Sequence, residues 1–202
     1  MATPQLYDDG EETWTQKYHL GCGGVYLEGY QNCDITGLAA FEHPDLVDQN
    51  LTTIQDYYAR LEGTMNALPM RRQTVCDILS DASHFMGMHN TVDKIVAIQV
   101  FEHFTPVDAM FALRRWRVAL KVGAPLIISV PDMAGTLELI ERGDSDFALR
   151  HLRGRMGDKW NSHHAWYTRD TLIELLEFAD FRDVVQLPNF HFYPAIVVKA
   201  IK

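Results

Sequence analysis

Residues 17–24 read Lys17-Tyr18-His19-Leu20-Gly21-Cys22-Gly23-Gly24, a short run of strand character halted by glycines. Missing side chains there let the backbone turn tightly and let a ligand approach its N–H groups. Just downstream, Tyr30 to Ile35 predicts a second short strand whose carboxyl end carries Asp34. A carboxylate in that position can accept both hydroxyls of a ribose. Each feature also has a plain structural reading, the glycines as a tight turn and Asp34 as a helix cap. Their placement after two successive strands points instead to one nucleoside-containing ligand.

Working outward, strands are predicted at Thr74–Leu79, Lys94–Val100, Pro125–Val130 and Ala195–Ile201. Between them, apolar Leu51, Ile54, Tyr58, Leu61 and Met65 recur at steps of three and four, predicting an amphipathic helix with Asn50 as its N-cap. Val107, Met110, Leu113, Trp116 and Leu120 form a second stripe, stopped at Gly123. A short helix is predicted over Thr136–Glu141, and another, carrying Leu172, Leu175, Leu176 and Ala179, opens at Thr168 or Thr171. Continuously apolar strands alternating with helices predict an α/β fold: a single doubly wound, mostly parallel sheet with helices on both faces. Residues 1–16 read as an acidic arm and residues 17–202 as one domain.

Ligands of such sheets sit beyond the carboxyl ends of the strands, so the residues after each strand are the ones to read for chemistry. Asp81-Ala82 follows the third strand, offering an acidic side chain and a backbone N–H to an adenine edge. Gln99-Val100-Phe101-Glu102-His103 follows the fourth.

Taken together, HLGCGG at 19–24, CDI at 33–35, SDASHF at 80–85, DKIVAIQVFEHF at 93–104, LRRWRVALKVGAPLIISVPD at 113–132 and TRDTLIELLEFADF at 168–181 resemble, in order, the class I S-adenosylmethionine-dependent methyltransferases. The likeness is to the small, type 11-like kind with a GCGG loop. It implies S-adenosyl-L-methionine as cofactor. Leu20, Gly21, Cys22 and Gly23 would then pass its methionine part, Asp34 with Ile35 its ribose, and Asp81 with Ala82 its adenine. Gln99 would lie near the methionine moiety. Two features depart from the pattern: Val25-Tyr26 stand where a third glycine is usual, and Ala124 replaces the second glycine of the turn before the fifth strand. Only a short segment separates Gly24 from Asp34 where most relatives have a full helix. A subgroup with a G-[YW]-x-N-x-D stretch, matched by Gly29–Asp34, shortens that helix.

Methyl transfer from a sulfonium is an in-line displacement in which positioning can supply much of the acceleration, so a catalytic base is optional. Where the acceptor must lose a proton, His103 is the first candidate and His163, His164 and Tyr167, from the stretch at 161–167, are the second tier. Glu102-His103 has a second reading, as a brace for the following helix. Glu102, His103, His163 and His164 offer imidazole and carboxylate ligands that suit a first-row metal, but no helical H-x-x-x-H and no Cys-rich spacing supports such a site, so no metal is expected. Arg150, Arg153 and Arg155 are either a solvated helix face or an anion contact.

The formal net charge of −9 on 202 residues repels phosphate backbones, which weighs against a nucleic acid partner and leaves a small-molecule, sugar or peptide-like acceptor. Cys22, Cys33 and Cys76 form no C-x-x-C pair and read as buried, inert thiols of a reducing, cytoplasmic protein. Neither a signal-type leader nor a membrane span is expected. Two other functions share parts of this pattern: a nicotinamide-dependent oxidoreductase, and a cofactor-binding protein without turnover.

Overall fold

The computed structural model describes residues 16–54, 73–154, 160–191 and 193–202. Seven strands form the central sheet: β1 Lys17–Leu20, β2 Gln31–Asp34, β3 Ile78–Leu79, β4 Lys94–Ile98, β5 Pro125–Pro131, β6 Arg182–Leu187 and β7 Ala195–Ile201. Their order across the sheet is β3-β2-β1-β4-β5-β7-β6, with β7 alone running antiparallel to its neighbours. The helices are α1 Pro44–Asn50, α2 Pro106–Ala119, α3 Met133–Glu141, α4 Ser145–Arg153 and α5 Arg169–Phe178. This is the doubly wound, mostly parallel sheet that the sequence predicts.

Strand alternation sorts the core into two layers. From β4, Ile95 and Ala97 join one buried cluster while Val96 and Ile98 join the other. From β5, Leu126, Ile128 and Val130 share the first cluster with Leu113 and Trp116 of α2 and Leu172 and Leu176 of α5. Ile127 faces the opposite layer with Leu27, Tyr30, Leu187 and Phe190. Helix α2 is capped by Thr105, whose hydroxyl accepts from the Asp108 amide, and α5 by Thr168 in a reciprocal capping box with Thr171. No helix among the described residues is long and apolar enough to cross a membrane.

The connection from β1 to β2 contains no helix. Parallel neighbours ordinarily need a crossover of a dozen or more residues, and here one side chain holds the shorter path in place. Asn32, fully buried on β2, accepts from the Leu27 amide at 2.8 Å and donates to the Leu27 and Tyr30 carbonyls at 3.1 and 3.0 Å. Its own amide donates to the Asp77 carboxylate at 2.7 Å. Tyr26–Leu27 adds a short parallel pairing with Leu51–Thr52.

Several expected boundaries move. The second strand is Gln31–Asp34 rather than Tyr30–Ile35. Thr74–Leu79 is two short pieces, Val75–Cys76 against Leu38–Ala39 and Ile78–Leu79 against β2, because Asp77 turns its carboxylate to Asn32 and Tyr26. Asn50 is not an N-cap: it closes α1, buried, and donates to the Gln73 carbonyl. Residues 55–65 of the expected amphipathic helix lie outside the described residues, as do residues 1–15 of the acidic arm.

Candidate active site at the sheet's carboxyl edge

The register of the central strands sets the site. Leu20 pairs with Cys33 on one side and Ala97 on the other, so the loop starting at Gly21 lies between the ends of β2 and β4. Asp34 pairs with Leu79, and its carbonyl accepts from the Ser80 amide. Asp81, Asp34, Gly21 and Gln99 therefore follow one another along the edge β3-β2-β1-β4. This is where a doubly wound sheet, reversing its strand order between β1 and β4, receives a ligand.

Gly21 has φ +68°, and a Cβ built on it would lie 2.4 Å from Val100 Cγ2. Only glycine lets the first loop fold against the residue that follows β4. Gly23, with φ +55°, differs: a Cβ there would meet no atom within 4 Å, and its amide donates to Asp34 Oδ2 at 2.8 Å. The other oxygen of Asp34 accepts from the Thr36 amide at 3.1 Å. An ionised carboxylate offers about four acceptor sites, so capacity for ribose hydroxyls remains. Leu20 and Cys22 are buried side chains, and contact with a ligand from either comes through the backbone. Ile35 is half-buried beside Asp34.

Asp81 caps the short turn Ala82–His84, accepting from the Ser83 amide and hydroxyl at 2.8 and 2.7 Å and facing His84 Nδ1 at 3.0 Å. Burial raises its pKa, but those donors outweigh it and the net shift is downward. Three of its acceptor sites are thus engaged inside the chain. The adjacent Ala82 carbonyl accepts from Trp116 Nε1 at 3.0 Å, fixing the turn against α2.

Gln99 occupies the left-handed region at φ +55°, where a residue with a side chain is strained, a feature concentrated at functional sites. Its amide donates to the Ser129 carbonyl and its side chain reaches Ser129 Oγ at 3.2 Å. Ser129 Oγ meets His191 Nε2 at 2.8 Å. Burial pushes His191 down to about 3, keeping it neutral. The sequence reading missed Ser129 and His191; the signal was a lone hydroxyl in the apolar run Pro125–Val130.

Beyond Gln99 the chain makes the turn Phe101–His103. Glu102 is 2% exposed, and burial pushes its carboxyl up to about 8, against a smaller pull from its own backbone amide. The His164 and Ala165 amides donate to the Glu102 carbonyl at 2.9 and 3.1 Å, docking the 161–167 segment onto this turn. His103 and His163 consequently meet edge to face, ring centroids 4.8 Å apart. His163 falls to about 4 through burial, aided by the neighbouring His103. His164 is exposed, apart from this group. Tyr167 is 7% exposed with its ring packed on Phe101, and burial, then the nearby Glu102, pushes its phenol pKa up. Such a phenol packs the core and is a poor proton acceptor. A small cleft lined by Met133, Thr136, His151, His163 and Trp166 opens beside the histidines. Cys22, Cys33 and Cys76 are buried free thiols, each pushed up by burial.

Solved structures share this fold over most of the chain. A Thermotoga maritima S-adenosylmethionine-dependent methyltransferase, described as a possible histamine N-methyltransferase, superposes with TM-score 0.54 at 11% identity, covering 99% of this chain and 88% of its own. The Burkholderia thailandensis 1,6-didemethyltoxoflavin-N1-methyltransferase, solved with S-adenosylhomocysteine, gives 0.55 at 17% identity over 93% and 70%. The chain has the class I methyltransferase fold. The magnesium protoporphyrin IX methyltransferase of Synechocystis, also with S-adenosylhomocysteine bound, shares that fold with TM-score 0.51 at 13% identity, over 98% of this chain and 78% of its own. No family model and no curated protein sequence matches the chain. In this methyltransferase fold the order 3-2-1-4-5-7-6 and the single antiparallel strand β7 put the Gly21 loop, Asp34, Asp81 and Gln99 on one edge.

Proposed function

We propose that the protein is an S-adenosylmethionine-dependent methyltransferase acting on a small-molecule, sugar or peptide-like acceptor. The observation that carries this reading is the contact between the two cofactor-side motifs: the Gly23 amide rests on the Asp34 carboxylate, on the edge where Asp81 and Gln99 also lie. When bound, the cofactor supplies an electrophilic methyl group on a sulfonium. Asp34 accepts from the ribose hydroxyls, the Gly21–Gly23 backbone runs along the methionine part, and Gln99, braced by Ser129, lies at its reacting end. The remaining acceptor site of Asp81 takes the adenine amino group, with Ala82 supplying a backbone N–H.

The acceptor approaches over the cleft beside His163. Alignment does most of the work. A proton leaving the acceptor goes to the His103 and His163 side of the pocket, since Tyr167 is packed in the core and His164 faces outward. A cytoplasmic location belongs to the same proposal and is supported by three buried free thiols. The test is selective stabilisation: a ligand that binds only the native state raises the unfolding midpoint. S-adenosylhomocysteine is expected to raise it and NAD+ to leave it unchanged. The reverse result would replace this reading with the nicotinamide-dependent one, and binding without methyl consumption across an acceptor screen would favour a protein without turnover.

A further inference from the structure

We propose that Glu102, His103 and His163 form a binding site for one divalent first-row transition metal ion, of the zinc, cobalt or iron(II) type. One ligand atom from each lies within 4.8 Å of the other two. Both imidazole Nε2 atoms face Glu102 Oε1, at 4.0 Å from His103 and 3.9 Å from His163. Those separations exceed a hydrogen bond. A tetrahedral ion with ligands at about 2.0–2.1 Å holds its donor atoms roughly 3.4 Å apart. Small side-chain rotations therefore close the cluster around an ion.

The outer contacts aim the ligands. His103 Nδ1 is 2.9 Å from the Ser162 carbonyl and His163 Nδ1 is 2.6 Å from the His151 carbonyl. A carbonyl can only accept, so each Nδ1 carries the hydrogen and each Nε2 is the unprotonated nitrogen that a metal takes. Glu102 adds an independent sign: its Oε2 is buried and meets no hydrogen-bond donor among the described residues. A buried polar atom left that way is costly, and a coordinated cation removes the cost. Two imidazoles and one carboxylate suit zinc and its first-row neighbours, and three protein ligands leave a position for water or an acceptor oxygen. Glu102-His103 and His163 come from separate segments, which the Glu102 carbonyl joins by accepting from the His164 and Ala165 amides. The inference rests on these side chains and not on methyl transfer, so either can fail without the other; with an ion bound, both Nε2 atoms hold it and His103 and His163 no longer take the acceptor's proton.

The test uses the tag-free, full-length chain after a chelator wash, titrated with Co2+. Visible d–d bands saturating at one equivalent, and lost on adding Zn2+, are expected. His103→Gln, His163→Gln and Glu102→Gln should each weaken Co2+ binding by at least about tenfold, since even loss of an outer partner costs ten- to a hundredfold. His89→Gln, an exposed histidine outside the cluster, should leave it unchanged. If either buried variant unfolds, His103→Gln decides the matter, its side chain being 19% exposed. Absence of Co2+ bands together with no Zn2+-dependent rise in the wild-type unfolding midpoint, or undiminished Co2+ affinity in His103→Gln, would overturn the proposal.

Discussion

The Gly23 amide donates to Asp34 Oδ2 across 2.8 Å, so the glycine loop after β1 and the carboxylate after β2 are one hydrogen-bonded unit. Asp34 holds the loop and, in the proposed complex, the ribose. Asp34→Ala removes charge-assisted bonds contributing about 1.5–3 kcal/mol, equivalent to roughly a ten- to hundredfold loss of affinity. Titration calorimetry with S-adenosylhomocysteine reads it directly. Unchanged affinity would move the ribose contact elsewhere, with Glu42 and Asp45 the next carboxylates to try.

Asn32 does the work of a missing crossover helix, and its removal should be felt throughout that end of the sheet. Asn32→Ala strands the Leu27 amide, in a residue wholly out of solvent, and takes a donor from the Leu27 and Tyr30 carbonyls. Each buried polar group left unpartnered costs about 1–3 kcal/mol, so a loss of at least about 2 kcal/mol is expected in urea unfolding. Asn32→Asp keeps the acceptor but loses the three bonds donated by Nδ2, placing a carboxylate oxygen among carbonyls and beside Asp77, and should be no milder. A variant within 0.5 kcal/mol of wild type, roughly the scatter of a neutral surface change, would show that the short connection holds itself.

Fold class was legible in the sequence because it rests on features that survive without coordinates. Short apolar runs rich in β-branched residues, such as Ile95–Ile98 and Pro125–Val130, read as strands covered on both faces, and the stripe through Leu113 and Trp116 reads as a helix face turned to a core. That Gly21, Asp34, Asp81 and Gln99 follow strand ends along one edge was legible for the same reason. What escaped depended on side-chain contact. β6 Arg182–Leu187 is mostly exposed and carries no apolar run to betray an edge strand. Asp81 is also a turn cap, and its own Ser83 and His84 partners became visible only in three dimensions. The Glu102, His103, His163 and His164 set could be named from residue type, but not which three meet: two backbone amides on one carbonyl bring Glu102, His103 and His163 together and leave His164 facing outward.

Acid should destabilise the fold in a definite window. Burial holds His19 at about 4 and His191 at about 3, below the ordinary 6.5, so the folded state keeps both neutral while the unfolded chain takes up protons. Their contribution is intact above pH 6.5 and is lost as pH falls from 6.5 through about 4. Each group steepens the dependence by up to about 1.4 kcal/mol per pH unit. Unfolding free energies measured at pH 7, 6 and 5 should fall accordingly. His191→Gln, which keeps a partner for Ser129, should flatten the slope by about one group's share. An unaltered slope in that variant would mean that His191 titrates normally.

The tightest constraint on the edge lies between Gly21 and Val100, and it splits into two costs that a double-mutant cycle can separate. Gly21→Ala forces a side chain into φ +68°, worth about 1–2 kcal/mol, and drives its Cβ to 2.4 Å from Val100 Cγ2 and 2.6 Å from Val100 Cβ. Overpacking of that kind adds about 1–3 kcal/mol. The first cost belongs to the backbone and persists whatever stands at position 100. The second depends in part on the γ-methyl groups, which alanine lacks while it keeps the Cβ at 2.6 Å, so Val100→Ala in the Gly21→Ala background should recover part of the loss. An interaction energy of at least about 1 kcal/mol is expected between neighbours in contact. Strict additivity would mean that the loop after β1 does not fold against the residue following β4, and the convergence of Gly21 and Gln99 on one ligand would fail with it.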